Sequence, residues 1–298
     1  MLIEVQVKVV KSLGNTYGKA YRLLRSSKGF TQEEATGSSI TKQALSLFEN
    51  DRSMISLDHF VDILGNINAS FEEFITLVQG EDNREWILAE IHHAQRKQDL
   101  LQIKRIYERA CELADENEDQ YFYQHLRILT KIFAVQIDPY AEAVTDEEVE
   151  TIHDYLIRVE LWGNYEYDLF RDTIDLFSAS QILLLSNEAF DARHVEDRVS
   201  HLTGNCAEEL LFAIIDRLLT LGEVDKCREF LDKAAIYLNQ DDINILMKMK
   251  YFKGIIDYLQ GDPKGKEAAK SVINMIYDFG NREMANKLFQ QYQQFIVE

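Results

Sequence analysis

Proline stands at only two positions, Pro139 and Pro263, in a chain of 298 residues. Proline removes a helical donor and clashes with the preceding turn, so a chain this poor in it can run in helix almost without a break. Glycine is scarce too, at 13 residues. Such a chain lacks the turns that a sheet protein needs at every hairpin. With 46% hydrophobic residues it can still bury a sizeable core. An all-α protein of two domains is the expectation.

Helix signals organise the first 80 residues. Thr31 and Glu34 have capping-box spacing, Gly37 can stop that helix, and Thr41 can cap the next. On that next helix Leu45 and Phe48 share one face, while Lys42, Gln43 and Ser46 point elsewhere. Tyr17, Ala20, Tyr21 and Leu24 place a helix over 14–28, with Arg22, Arg25 and Lys28 expected on its exposed side. Downstream, Leu57, Phe60, Val61 and Leu64 form one stripe, 65–69 a break, and Ser70 with Glu73 a second capping box. About five short helices therefore end near residue 78. Two short capped helices suit an ordinary helical core, and they suit a helix-turn-helix equally well. In a helix-turn-helix the polar face of the second helix meets base edges. The cations of the first helix would then hold phosphates, or form only a solvated face.

Residues 1–12 alternate apolar and polar with a strand period and suggest no function. The polar run 79–83 is the expected joint between a head over 13–78 and a body over 84–298. The body reads as helix after helix. A third capping box lies at Thr145 and Glu148, and Asp262 precedes Pro263 at a helix start. Antiparallel pairs of about 35–40 residues describe an α-solenoid of degenerate tetratricopeptide-like units.

Charge is uneven. Residues 1–60 hold 8 Lys+Arg against 6 Asp+Glu, and the remainder holds 24 against 45, within a net of −19. A near-neutral head on an acidic body fits a DNA reader, and fits an acidic helical protein without nucleic acid as well. No apolar run approaches the roughly 18 residues of a membrane span. Cys111, Cys206 and Cys227 lack CxxC spacing and read as free buried thiols of a reducing cytoplasm. No phosphate-cradling glycine loop, zinc-protease motif or nucleophile elbow is present in the sequence. His92 and His93 are adjacent and would diverge on a helix, so no metal or cofactor is expected and no catalytic site is assigned.

The run Thr41 to Ser53, TKQALSLFENDRS, resembles the typical SKSQLSRFERGES run of the Rgg/MutR family of Gram-positive transcription regulators. Gln32 sits where the phage-repressor class opens its second helix with Gln, and Phe48-Glu49 meets the FE pattern. Leu47 departs from the family's Arg, and Asn50-Asp51 from its Arg-Gly. Each lost cation removes a potential phosphate contact, which Arg52 offsets in part. In the body, Trp162, Tyr165, Glu166, Leu169 and Phe170 match the family's WxxYExxLF-like run. Phe252, Gly254, Tyr258, Gly261 and Asp262 match its closing pattern.

The resemblance spans nearly the whole chain after residue 12. It implies a phage-repressor-like helix-turn-helix domain followed by the helical-repeat body. It further implies a homodimer on double-stranded promoter DNA, with a short signalling peptide on the concave face of the repeats. The DNA-contacting candidates are Arg22, Arg25, Gln32, Thr41, Lys42, Gln43, Ser46 and Arg52. An extended peptide needs polar partners for its backbone and aromatics for its side chains. Arg171, Asn205, Asn244, Lys248 and Tyr251 are the candidates for that lining. A helical-repeat adaptor or peptide sensor acting through protein contacts is the alternative.

Overall fold

The computed structural model describes residues 17–79, 84–116, 121–190, 206–237 and 242–296. The strand period over 1–12 and most of the polar joint lie outside the described residues. Among the described residues every regular element is helical. The chain separates into two compact units, residues 1–112 and 113–298, and the expected joint at 79–83 falls inside the first.

The first unit opens with α1 (Tyr17–Ser27), α2 (Gln32–Thr36), α3 (Lys42–Glu49), α4 (Leu57–Asn66) and α5 (Phe71–Gln79). The helices α6 (Arg84–Arg96) and α7 (Leu100–Glu116) follow, and α7 runs past the division. The capping chemistry legible in the sequence is made. The Thr31 and Glu34 box closes both ways, with the Thr31 amide donating to Glu34 at 2.7 Å. The Ser70 amide donates to Glu73 at 2.7 Å and the Glu73 amide to the Ser70 hydroxyl at 3.1 Å. Thr41 accepts from the Ala44 amide at 3.1 Å and starts α3.

Tyr21, Leu24, Leu45, Phe48, Ile63, Leu64, Ile67 and Phe74 form the core of the head. Tyr21 is fully buried and its hydroxyl donates to the Ile63 carbonyl at 2.9 Å. A glycine decides how α1 meets α3. A Cβ on Gly18 would overlap the Phe48 carbonyl oxygen. The buried stripe of α4 differs from the expected one. Phe60, Ile63, Leu64 and Ile67 face inward, whereas Leu57 is 68% and Val61 57% exposed. The break falls within the expected 65–69: the helix ends at Asn66, and Asn68 takes a left-handed backbone with φ 50°. Leu57 joins Tyr17, Met54, Phe71 and Ile75 around a shallow apolar groove of about 300 Å³.

The second unit contains α8 (Tyr121–Ile137), α9 (Asp146–Arg158), α10 (Asn164–Thr173), a 3-10 turn (Ile174–Leu176) and α11 (Ala179–Ala189). It continues with α12 (Cys206–Thr220), α13 (Val224–Tyr237), α14 (Ile243–Leu259), α15 (Lys264–Asp278) and α16 (Arg282–Phe295). From α11 to α16 successive helices pack on one another, as helix pairs of a repeat do, whereas α8 packs on α10 and α9 on α11. The tightest pair is α14 with α15. A Cβ on Gly254 would lie 2.7 Å from the Gly265 carbonyl, and one on Gly265 would overlap the Gly254 carbonyl. A capping box the sequence reading passed over starts α11 (Ser178 with Gln181), and at the start of α10 the Gly163 amide donates to Glu166 at 2.8 Å.

Buried polar groups tie α8 to the helices after it. Lys131 is buried and pairs with Glu142 at 2.5 Å and Glu148 at 2.9 Å. His125 is fully buried, and its Nδ1 shares a 2.8 Å hydrogen bond with the Tyr165 hydroxyl. Its Nε2 has no hydrogen-bond partner among the described residues. Of the three cysteines, all free, only Cys227 is buried.

Two outcomes follow from this packing. Gly18→Ala lowers the stability of the head by about 2 kcal/mol or more, because the clash is with backbone and a rotamer change cannot relieve it. Denaturant unfolding followed by far-ultraviolet circular dichroism measures the loss. The second concerns acid. Burial pulls the His125 imidazole from 6.5 down to about 4. Between those values the unfolded chain holds the extra proton and the folded chain does not. Stability is therefore intact above pH 6.5 and declines as pH falls toward 4. The decline from this one group is up to about 3 kcal/mol. His125→Gln flattens the dependence of the unfolding midpoint on pH across that window.

Candidate functional site

Helix α3 has two faces of opposite character. Leu45, Phe48 and Glu49 are buried. Thr41, Lys42 and Gln43 are exposed, and Ser46 is half-buried. The exposed start of the helix thus carries a hydroxyl, an ammonium and an amide in consecutive positions, the donor and acceptor types that read base edges. The turn between α2 and α3 is held by Asn66, whose side-chain amide donates to the Ala35 carbonyl at 2.9 Å. Gly37 takes φ 51° there, and a Cβ on it would press on Asn66 at 2.8 Å.

Arg25 departs from the expected role. It is 8% exposed, not on the solvent side of α1. Its Nε and Nη2 donate to the two Glu49 carboxylate oxygens at 2.6 and 3.0 Å, and its Nη1 donates to the Phe30 carbonyl at 2.6 Å. The Gln32 amide donates to the same Glu49 carboxylate at 2.8 Å. Three helices meet at one carboxylate, so Arg25 and Gln32 position α3. The spacing held the clue: Tyr21, Leu24, Arg25 and Lys28 lie on one helical stripe, and that stripe faces the core. Lys28 is also engaged, with Glu73 at 3.0 Å and the Asn68 carbonyl at 2.8 Å. Arg22 and Arg52 are exposed. Leu47 and Asn50 are exposed as well, where the family pattern has Arg.

The second candidate site is a cleft of about 510 Å³ in the second unit, lined by α12, α14, α15 and α16. Three of the expected peptide-lining residues, Asn244, Lys248 and Tyr251, line it together. Their spacing at i, i+4 and i+7 along α14 brings them to one face. Tyr251 is 1% exposed, so it offers the cleft a ring edge and not a polar tip. Its hydroxyl donates to the Leu288 carbonyl at 2.8 Å and bridges α14 to α16. Opposite, α16 contributes Lys287, Gln290, Gln291 and Gln294. The sequence reading missed them; their spacing of three and four on the last helix was the available signal.

The floor is apolar. Phe212 stacks on Phe252 with centroids 5.8 Å apart, beside Met247, Val272, Ile276 and Met284. The Lys248 ammonium lies 5.2 Å from the Phe212 ring centroid. Asp216 also lines the cleft. Burial lifts its carboxyl above the usual range, while a hydrogen bond from the Gln291 amide and the charge of Lys287 pull the other way. An apolar floor between two combs of amides suits an extended peptide, whose backbone needs partners that its side chains do not.

Arg171 stands apart from this cleft. Asp168 at 2.7 Å, Asp172 at 3.0 Å and Glu209 at 2.8 Å surround its guanidinium, so it is a structural cation between α10 and α12. Asn205 lies outside the described residues. No group of His, Cys, Asp and Glu suited to a metal occurs among the described residues, His92 and His93 included. No helix among them is long and apolar enough to cross a membrane.

The family model for the C-terminal domain of the HTH-type transcriptional regulator Rgg matches residues 107–290. The chain belongs to the Rgg family of transcriptional regulators. Solved structures share its fold. The Streptococcus dysgalactiae SHP pheromone receptor Rgg2 has a TM-score of 0.73 at 19% identity, over 94% of this chain and 100% of that one. A chain from Listeria monocytogenes EGD-e has a TM-score of 0.69 at 19% identity, over 94% and 98%. The PrgX/cCF10 complex has a TM-score of 0.67 at 11% identity, over 94% and 99%. At these identities the likeness is one of fold. For this Rgg-family chain, residues 107–290 include every helix that lines the cleft apart from the last few residues of α16.

The buried pair gives a direct outcome. Arg25→Ala leaves the Glu49 carboxylate buried without its cation and destabilises the head by roughly 3–5 kcal/mol. Arg22→Ala, at an exposed position, stays within about 0.5 kcal/mol of the parent. Thermal or urea unfolding of the two variants separates a positioning arginine from a surface one.

Proposed function

We propose that this Rgg-family chain binds promoter DNA through a head over residues 13–78 and is controlled by a short peptide held in the cleft of its body. The observation that carries the reading is the exposed polar face of α3. Thr41, Lys42 and Gln43 project from a helix whose other face is anchored by Leu45, Phe48 and the Arg25–Glu49 pair. Lys42, Arg22 and Arg52 make no ion pair among the described residues, so their charge is available to phosphates. Arg25 and Gln32 support the helix from behind. Two heads in a homodimer would read two half-sites, because one helix contacts too few base pairs for useful selectivity.

Two neighbours in fold favour the peptide half of the reading. The Streptococcus dysgalactiae structure is a pheromone receptor, and PrgX was solved with cCF10. In this chain the peptide would lie along α14 and α16, its apolar side chains on Phe212 and Phe252 and its backbone against Asn244, Gln290 and Gln294. A cytoplasmic location is part of this proposal. A protein-binding adaptor is the second reading, favoured by Leu47, an apolar side chain 37% exposed on the outer part of α3.

Selection of bound sequences from a random duplex pool tests the first reading, with and without a peptide extract. An enriched inverted repeat is expected. Lys42→Ala with Gln43→Ala lowers affinity for that repeat by about ten-fold or more while leaving the unfolding midpoint unchanged. Failure to enrich any sequence under either condition would point to the adaptor.

A further inference from the structure

We propose that Asn66 is a positioning residue for DNA reading: from the end of α4 its side-chain amide fixes the turn that aims the exposed start of α3. The inference rests on the DNA reading above and adds what holds its geometry.

The two ends of α3 are held differently. Leu45, Phe48 and Glu49 are buried and anchor its second half. Thr41, Lys42 and Gln43 at its start are exposed, and Ile40 just before them is half-buried. The direction of that end is therefore set by the turn over 37–41 and by α2 before it. With five residues α2 is far too short to be helical on its own. It takes its place from its surroundings: it packs on α4, and Gln32 donates to Glu49.

The carbonyls at the end of α2 show which contact fixes the turn. A helix end leaves carbonyl groups without a donor inside the helix. The Thr36 hydroxyl answers the Glu33 carbonyl at 2.9 Å, and the Ser39 amide answers the Thr36 carbonyl at 3.0 Å. Both bonds are local and would travel with the segment if it tilted. The Ala35 carbonyl is answered from 31 residues away, by the Asn66 amide at 2.9 Å. That bond ties the segment to a different helix. The same amide covers Gly37, whose φ of 51° and ψ of −126° glycine adopts readily and other residues avoid. Its nitrogen lies 2.8 Å from where a Cβ of residue 37 would stand. The amide also acts from a fixed base. Just beyond Asn66, the Lys28 ammonium donates to the Asn68 carbonyl at 2.8 Å and pairs with Glu73 at 3.0 Å. The corner from α4 to α5 is thereby tied to α1. Asn66 itself is exposed, so its replacement opens no cavity in the core.

The test uses the full chain with Asn66→Ala and Asn66→Leu, the second close to asparagine in shape but without a donor. Fluorescence anisotropy measures binding to two labelled duplexes well below the unfolding midpoint. One carries the inverted repeat enriched by selection, and the other is a scrambled sequence of the same composition. A misaimed start of α3 loses base contacts and keeps phosphate contacts. Affinity for the repeat is therefore expected to fall about five-fold, the equivalent of one net hydrogen bond, while affinity for the scrambled duplex stays at the parent value. An Asn66 that only stabilised the head would lower the binding-competent fraction, which scales both affinities by the same factor. Equal loss on both duplexes, or loss on neither, overturns the positioning role and leaves the DNA reading standing. Loss of helical circular dichroism in both variants also overturns it, because the amide then holds the fold and not the aim. A parent chain that binds the repeat no better than the scrambled duplex overturns the DNA reading itself, and this inference with it.

Discussion

Among the described residues two helix pairs touch backbone to backbone, and each candidate site hangs on one of them. Gly18 lets α1 approach the end of α3 closely enough that a methyl group would strike the Phe48 carbonyl. Gly254 and Gly265 let α14 and α15 meet in the same way. Close approach without side chains between fixes both distance and rotation, since a helix with no Cβ at the contact has one best seat. The first contact sets which face of α3 turns outward. The second sets the tilt of α14, and so the wall on which Asn244, Lys248 and Tyr251 stand.

Charge reinforces the geometry differently in the two units. In the head, one buried carboxylate, Glu49, gathers Arg25 and Gln32 from two other helices. A buried pair is seldom a large net stabiliser, but breaking it is severe, and its directional bonds specify one arrangement. The lysine removed from water in the body, Lys131, is likewise fully answered, by Glu142 and Glu148.

The α3 departures from the family pattern bear on strength more than on shape. Leu47 and Asn50 are exposed, so replacing Arg there removes charge from the surface without disturbing the core. Fewer phosphate contacts mean weaker and less salt-sensitive binding. The base contacts proposed for Lys42 and Gln43 would be untouched by that loss, because phosphate contacts position and base contacts specify.

The sequence by itself determined the helices, their starts and the family. Caps and periodicity are local, and a Thr followed three residues later by Glu makes its bonds whatever the rest of the chain does. For the same reason Asn244, Lys248 and Tyr251 could be placed on one face from spacing alone. Only the tertiary structure decided what lay opposite each face. Arg25 looked like a surface cation until Glu49, 24 residues away, came to meet it. Leu57 and Val61 fit a buried stripe by period, yet the core took Ile63 and Ile67 instead. Arg171 looked like a groove residue until three carboxylates enclosed it. The glutamines of α16 became visible as a wall only when Tyr251 reached Leu288. Periodicity states which residues share a face. Which partner that face meets depends on contacts between residues far apart in the chain, and no local pattern records those.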